Sequence, residues 1–236
     1  MNNDVGSEEN DLFRIGDDWK VKLGVRMLKE GFKRKAYLLF YDALRGNKNF
    51  AFARKNLSTL SLSHLILTNH HSNIHLPEDQ IVLWLSWMFS KVLRLHLVKK
   101  NHGSLTLQNF ILQEENKLSV LGGSKHFGFG CDGNFLAPGG ECCDVWALGC
   151  VLLSLCTNES PNPVDLYAGK IPDISINYTK KLHLLLKSML RKDPKDRPTI
   201  NFLNTKLIIW VTFGNSFAFG IKNKLAVFGK PYENYV

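Results

Sequence analysis

The sequence predicts an α+β fold in which a β-containing N-terminal third precedes a mainly α-helical remainder. Two short apolar runs, at residues 36–40 and 50–53, flank the turn sequence RGNK at 45–48, as in a β-hairpin. Further along, apolar residues recur at helical spacing between residues 81 and 95. Residues 144–156 are apolar on nearly every side, which favours a buried helix. The change of pattern places the boundary near residue 76.

The helical remainder has recognisable starts and ends. Pro77 followed by Glu78 and Asp79 predicts a helix start, and the apolar stripe behind it predicts one long amphipathic helix. That stripe consists of Ile81, Trp84, Leu85, Met88, Val92 and Leu95. A later stripe, Leu182, Leu185, Leu186, Met189 and Leu190, is followed by two basic residues and Pro194, as at a helix C-terminus. Between these helices, FIL at 110–112 and KLSVL at 117–121 suit strands.

Two stretches are predicted to be irregular. The histidine-rich segment with His70, His71 and His75 is interpreted as a loop rather than a metal site. The apolar run at 207–221 is interrupted by glycines and polar residues and is too short for a membrane span, so we expect an irregular or β-like tail.

Composition favours an intracellular protein, cytoplasmic or nuclear. Five cysteines without a CxxC pair, and a polar, acidic N-terminus unlike a signal peptide, predict a reducing compartment and no membrane partner. Cys131, Cys142 and Cys143 leave metal binding open, but we expect no metal site. The net charge is +9, yet the sequence has neither zinc-ligand spacing nor an aromatic-interleaved basic motif. A solvated basic surface is therefore favoured over a nucleic-acid partner.

An ordered series of motifs resembles the eukaryotic protein kinases, most closely the NIMA-related serine/threonine kinases. The series is LPEDQIVLWLSWMFSKVLRLH, DVWALGCVLLSLCT, GKIP and NYTKKLHLLLKSMLRKDPKDRPT, and it covers roughly residues 76–203. The resemblance implies a protein-kinase-like fold with a reduced β-containing N-lobe and a mainly helical C-lobe. We expect a disordered N-terminus at 1–20, a degenerate N-lobe remnant at 21–75, the C-lobe at 76–206 and a tail at 207–236.

The stretch HGSLTLQN at 102–109 resembles the catalytic loop of that family. Only His102 and Asn109, the position of a metal-binding asparagine, match the family pattern. Ser104 stands where the family has its catalytic aspartate, and Thr106 stands at the loop lysine. Phosphoryl transfer needs metal ions, a phosphate-binding lysine and a carboxylate that positions the attacking hydroxyl. A serine supplies no such carboxylate.

The resemblance also implies a degenerate nucleotide site. Gly31 is the single glycine retained from the glycine-rich loop, Ala53 replaces the phosphate-binding lysine, and Gly122 replaces the metal-binding aspartate. No counterpart of the adenine-binding hinge separates the two parts. Asp144 matches the aspartate that holds the catalytic loop, and Arg197 matches an arginine whose usual glutamate partner is replaced by Gly139.

These losses predict a catalytically inactive pseudokinase whose helical lobe binds protein partners and needs no cofactor. One alternative is a residual ATP- and Mg²⁺-dependent serine/threonine kinase that recruits Asn109, Asp132 or Lys55. A further alternative is a basic protein associated with nucleic acid.

Overall fold

The computed structural model describes residues 19–46, 51–112, 117–120, 135–138 and 144–213. Along this part of the chain the helices are α1 (Trp19–Lys29), α2 (Lys33–Gly46), α3 (Ala51–Thr59), α4 (Leu62–Ser72), α5 (Glu78–Leu97), α6 (Asp144–Thr157), α7 (Pro163–Tyr167), α8 (Lys180–Met189) and α9 (Ile200–Phe213). A 3-10 turn at Leu107–Asn109 leads into strand β1 (Phe110–Leu112), which is followed by β2 (Leu118–Val120).

The N-terminal segment is helical, so the strands predicted at 36–40 and 51–53 are wrong. The buried residues of α2 are Ala36, Tyr37, Phe40 and Ala43, a spacing that fits a helix and not a strand. Gly31, with φ of +84°, ends α1. Its N–H donates to the Leu28 carbonyl, and the N–H of Phe32 donates to the Met27 carbonyl, which is the Schellman pattern of a helix C-terminus. The predicted turn at 45–48 lies partly outside the described residues, as does Phe50.

The N-terminal helices have a small core of their own. Helix α1 approaches α2 so closely that a Cβ atom on Gly24 would lie 2.8 Å from the Phe40 ring. The core consists of Val21, Ala36, Tyr37, Phe40, Ala43, Ala53, Leu57, Leu60 and Ile111. Burial raises the pKa of Tyr37, whose side chain is hydrogen-bonded to Ser119 of β2. We call this cluster the N-terminal core.

The larger core lies in the helical remainder, where the predictions for α5, α6 and α8 are confirmed. Every residue of α6 from Asp144 to Cys156 is buried. Helix α4 precedes residue 76 yet contributes Leu62 and Ile66 to this larger core. His70 and His71 lie in the last turn of α4, so the loop predicted for them is wrong.

The irregular or β-like tail predicted from residue 207 is wrong over residues 207–213, which belong to helix α9. It continues through Leu207 to Phe213, because Leu203, Leu207 and Val211 keep a helical stripe buried against the larger core. The remainder of the predicted tail lies outside the described residues. Among the helices that the structure describes, none has the combined length and apolarity that a bilayer crossing requires.

The two strands predicted at FIL and KLSVL are confirmed. They pair antiparallel, with Phe110 opposite Val120 and Leu112 opposite Leu118. Adjacent side chains of β1 point in opposite directions, so Phe110 enters the larger core while Ile111 enters the N-terminal core. A mostly helical chain with a small sheet agrees with a kinase-like α+β fold that has a reduced N-lobe.

Two buried ionisable side chains, Cys156 and Tyr178, lie near the junction of α5, α6 and α8. Glu78 at the start of α5 accepts hydrogen bonds from the backbone N–H of Thr179 at 2.6 Å and from its hydroxyl at 2.7 Å. The Tyr178 hydroxyl donates to the Leu76 carbonyl at 2.9 Å. Burial, reinforced by nearby negative charge, raises the pKa of Cys156 to about 12 and that of Tyr178 to about 12. Both groups therefore stay protonated well above neutral pH.

We expect the free energy of unfolding to fall as pH rises from about 9 towards 12. In the unfolded chain Cys156 and Tyr178 titrate near 9.0 and 10.0, while the folded state retains both protons. Each group then contributes a slope of up to about 1.4 kcal/mol per pH unit in that window, and none below it. Urea unfolding at a series of pH values measures the slope. Cys156→Ala should give a shallower slope, and an unchanged slope contradicts the prediction.

Candidate catalytic-loop site

The loop between α5 and β1 is shaped by two left-handed residues. Lys99 has φ of +54° just after α5, where the N–H of Lys100 returns to the Leu95 carbonyl at 2.9 Å. Gly103 has φ of +76°, and a Cβ atom placed on it would meet no atom within 4 Å. Glycine is therefore favoured at 103 by backbone conformation and not by lack of space.

Asp144 holds this loop against the core. It is the first residue of α6 and is only 4% exposed. One carboxylate oxygen accepts a hydrogen bond from the backbone N–H of His102 at 2.8 Å, and the other accepts from the N–H of Gly103 at 2.9 Å. The Nε2 atom of His96, in the last turn of α5, lies 2.9 Å from the same carboxylate. A single buried side chain thus joins α5, the loop and α6.

His96 was missed by sequence reasoning. The signal was available, because His96 is a polar residue in the last turn of an otherwise apolar helix face. Spacing alone could not name its partner, which lies 48 positions further along the chain.

Three polar residues of the loop, Ser104, Thr106 and Asn109, are buried. Ser104 is 6% exposed, and Asn109 is fully buried. The side-chain oxygen of Asn109 accepts from both the backbone N–H and the hydroxyl of Thr106, each at 2.9 Å. This pairing caps the 3-10 turn at Leu107–Asn109. The oxygen that a metal ion would use is therefore already hydrogen-bonded within the loop and shielded from solvent.

Two of the predicted nucleotide-site residues lie in the N-terminal helical region. Gly31 lies in the turn between α1 and α2, and Ala53 is fully buried in α3 as part of the N-terminal core. The strand context from which both were assigned is wrong. Gly122 and Asp132 lie outside the described residues.

Arg197 has partners that the sequence did not indicate. Its Nε donates to the Arg191 carbonyl at 2.7 Å, and one terminal nitrogen donates to the Lys192 carbonyl at 2.8 Å. Its guanidinium carbon lies 4.9 Å from the centre of the Trp146 ring. Backbone oxygens and an aromatic face therefore stabilise the charge whose usual glutamate partner is replaced. Gly139 lies outside the described residues.

Among the described residues of the loop, the donor set does not fit a magnesium–nucleotide site. Mg²⁺ is usually held by one or two carboxylates together with phosphate oxygens, whereas Asn109 offers one amide that is already engaged. Across the described ranges, no three His, Cys, Asp or Glu side chains cluster as metal ligands do. Cys131, Cys142 and Cys143 lie outside those ranges.

A cavity of about 520 Å³ opens beside the loop, between α4 and the end of α6. Its described lining includes Ser63, His64, Gln108 and Glu159. Ser104 and Asn109 are not among the described residues that line it. The cavity is therefore adjacent to the loop but does not expose the positions at which catalytic residues were sought.

The fold and the site define a class: a protein-kinase-like helical lobe whose loop is anchored by an aspartate of a buried central helix. No protein-family model matches the chain. Several curated proteins, however, are similar to it over part of its length. It is 28% identical to the serine/threonine-protein kinase Nek1 of Mus musculus over 156 residues, 55% of this chain and 13% of that protein.

Two further relatives agree. The serine/threonine-protein kinase Nek5 of Homo sapiens is 26% identical over 203 residues, 74% of this chain and 28% of that protein. The probable serine/threonine-protein kinase nek3 of Dictyostelium discoideum is 41% identical over 66 residues, 25% of this chain and 6% of that protein. The chain therefore spans less than a third of each of these relatives. It is related to the protein kinases and is similar to the NIMA-related serine/threonine group.

Asp144→Ala should lower the free energy of unfolding by about 3 kcal/mol, because two partly buried backbone N–H donors and the His96 ring lose a charged acceptor. Asp144→Asn keeps one carbonyl acceptor and should cost less. Chemical denaturation of both variants, with the exposed Asp173→Ala as a control, measures the difference. Equal stability of Asp144→Ala and wild type would show that the network contributes nothing.

Proposed function

We propose that this chain is a kinase-like binding scaffold that does not transfer phosphate. The observation that carries the proposal is the state of Asn109. Its oxygen is buried and accepts two hydrogen bonds from Thr106. The one loop residue that retains the identity of a metal ligand is thereby used as a turn cap.

The chemistry of position 104 supports the same proposal. A neutral hydroxyl cannot accept the proton of an attacking alcohol as a carboxylate does, and general-base assistance is typically worth about 10²–10⁴ in rate. Ser104 is also buried, so a substrate hydroxyl could reach it only if the loop moved.

The residues proposed to carry out phosphotransfer in a residual kinase give that alternative weaker support. Lys55 lies exposed on helix α3 and not on a strand facing the loop. Asn109 would have to give up both hydrogen bonds before binding a metal ion. Phosphotransfer through rearranged residues therefore has weaker support than a scaffold role.

The scaffold role rests on what the lobe keeps. The Asp144 network and the large core maintain a rigid set of helices without any requirement for catalysis. We propose that this helical lobe binds protein partners inside the cell, in the cytoplasm or the nucleus.

A thermal-shift titration with ATP and Mg²⁺ tests the nucleotide site directly. A ligand that binds the native state must raise the melting temperature by mass action. We expect no saturable shift up to millimolar ATP, and no transfer of labelled phosphate to the chain or to a generic basic protein. A competent kinase domain assayed in parallel serves as the positive control. A saturable shift would falsify the loss of nucleotide binding.

Restoring the carboxylate at position 104 should not restore activity. Ser104→Asp places a charge at a buried position and should lower the free energy of unfolding by about 2–4 kcal/mol relative to Ser104→Ala. Ser104→Asn, which has nearly the same shape without the charge, separates steric from electrostatic cost. Phosphotransfer is assayed at a temperature where circular dichroism shows each variant folded. A gain of ATP-dependent transfer in Ser104→Asp alone would contradict the scaffold proposal.

A further inference from the structure

The exposed face of α1 concentrates positive charge. Lys22, Arg26 and Lys29 are exposed and follow Trp19 at intervals of three, four and three residues. At about 100° per residue these four positions fall within an arc of roughly 80° on the helix surface. We call them the basic face. The opposite side of α1 packs against α2 through Val21 and Gly24.

Among the described residues of this region, basic side chains outnumber acidic ones. The described side chains of α1, α2 and the turn between them include six Lys or Arg and two acids. Glu30 is bonded to Arg26 at 2.9 Å, and Asp42 is bonded to Lys20. The exposed Lys33 and Lys35 extend the positive surface into α2.

Exposed aromatic rings lie at both ends of α1. Trp19 is 62% exposed at the start of α1, and Phe32 is 44% exposed just after its end. The Lys35 ammonium lies 4.7 Å from the centre of the Phe32 ring. Single exposed apolar residues are ordinary on protein surfaces, but here the rings accompany a row of cations. Cations with flanking aromatic rings match the chemistry of a polyanion that carries flat bases.

We propose that the basic face binds single-stranded nucleic acid. Lys22, Arg26 and Lys29 contact phosphates, and Trp19 and Phe32 stack on unpaired bases. An anionic bilayer fits less well, because amphipathic helices bind bilayers by burying their apolar side, and the apolar side of α1 is already packed against α2. This proposal does not depend on the scaffold role of the helical lobe.

Fluorescence anisotropy with labelled 20-nucleotide RNA and DNA of mixed sequence, measured from 50 to 300 mM salt, tests the proposal. Wild type should bind at least one polymer with an affinity that falls as salt rises. The triple variant Lys22→Glu, Arg26→Glu, Lys29→Glu should bind at least tenfold more weakly. The slope of log affinity against log salt should become shallower by about 2, since each single-strand phosphate contact contributes about 0.7.

A matched control separates the basic face from net charge. Lys180, Lys181 and Lys187 are exposed on α8, and their replacement by Glu changes the net charge by the same amount. This control should stay within about threefold of wild type. Trp19→Ala should weaken binding roughly tenfold while leaving the salt slope unchanged, because stacking is not ionic. Circular dichroism confirms that each variant keeps its helices.

Three results would overturn the proposal. The first is no binding of either polymer by wild type at 50 mM salt. The second is an equal loss in the α1 and α8 triple variants, which would indicate general charge attraction. The third is binding to phosphatidylserine-containing vesicles, lost in the α1 variant, without binding to nucleic acid. Binding of RNA alone or of DNA alone supports the proposal and identifies the polymer.

Discussion

The buried carboxylate of Asp144 is the constraint on which the rest of the helical lobe depends. A charge that is 4% exposed is costly unless donors surround it, and here two backbone N–H groups and the His96 ring do so. Its place in the first turn of α6 adds a favourable interaction with the helix dipole. Because these donors come from α5 and the following loop, the charge is satisfied only when both are correctly placed against α6.

That constraint explains how the shape of the loop is maintained. The hydrogen bonds from His102 and Gly103 use backbone groups, so they do not depend on which side chain stands at position 104. At the other end of the loop, the backbone N–H and the hydroxyl of Thr106 donate hydrogen bonds to the side-chain oxygen of Asn109. Both ends are therefore fixed by local hydrogen bonds that require no metal, nucleotide or substrate.

Sequence patterns predicted the helical lobe well because its helices are long and periodic. Helix α5 shows its stripe over many turns, and α6 is too uniformly apolar to lie anywhere but the core. The strand prediction for the N-terminal region was wrong for the opposite reason. The run at 36–40 is short, and short apolar runs do not distinguish a strand from a buried helix. Resemblance correctly placed Asp144 beside the loop, but the carbonyl partners of Arg197 arise from the local path of the backbone, which no motif encodes.

The helical N-terminal segment is connected to the helical lobe through strand β1. Strand β1 contributes Phe110 to the larger core and Ile111 to the N-terminal core, and Leu112 donates to the Leu60 carbonyl at 2.7 Å. The residue before β1 is Asn109, whose side chain accepts the two hydrogen bonds from Thr106. The N-terminal helices are thus attached at the point where the loop ends. Since side chains on a strand alternate between faces, a shift of one residue there would exchange the contents of the two cores, so the Thr106–Asn109 cap also fixes the register of this junction.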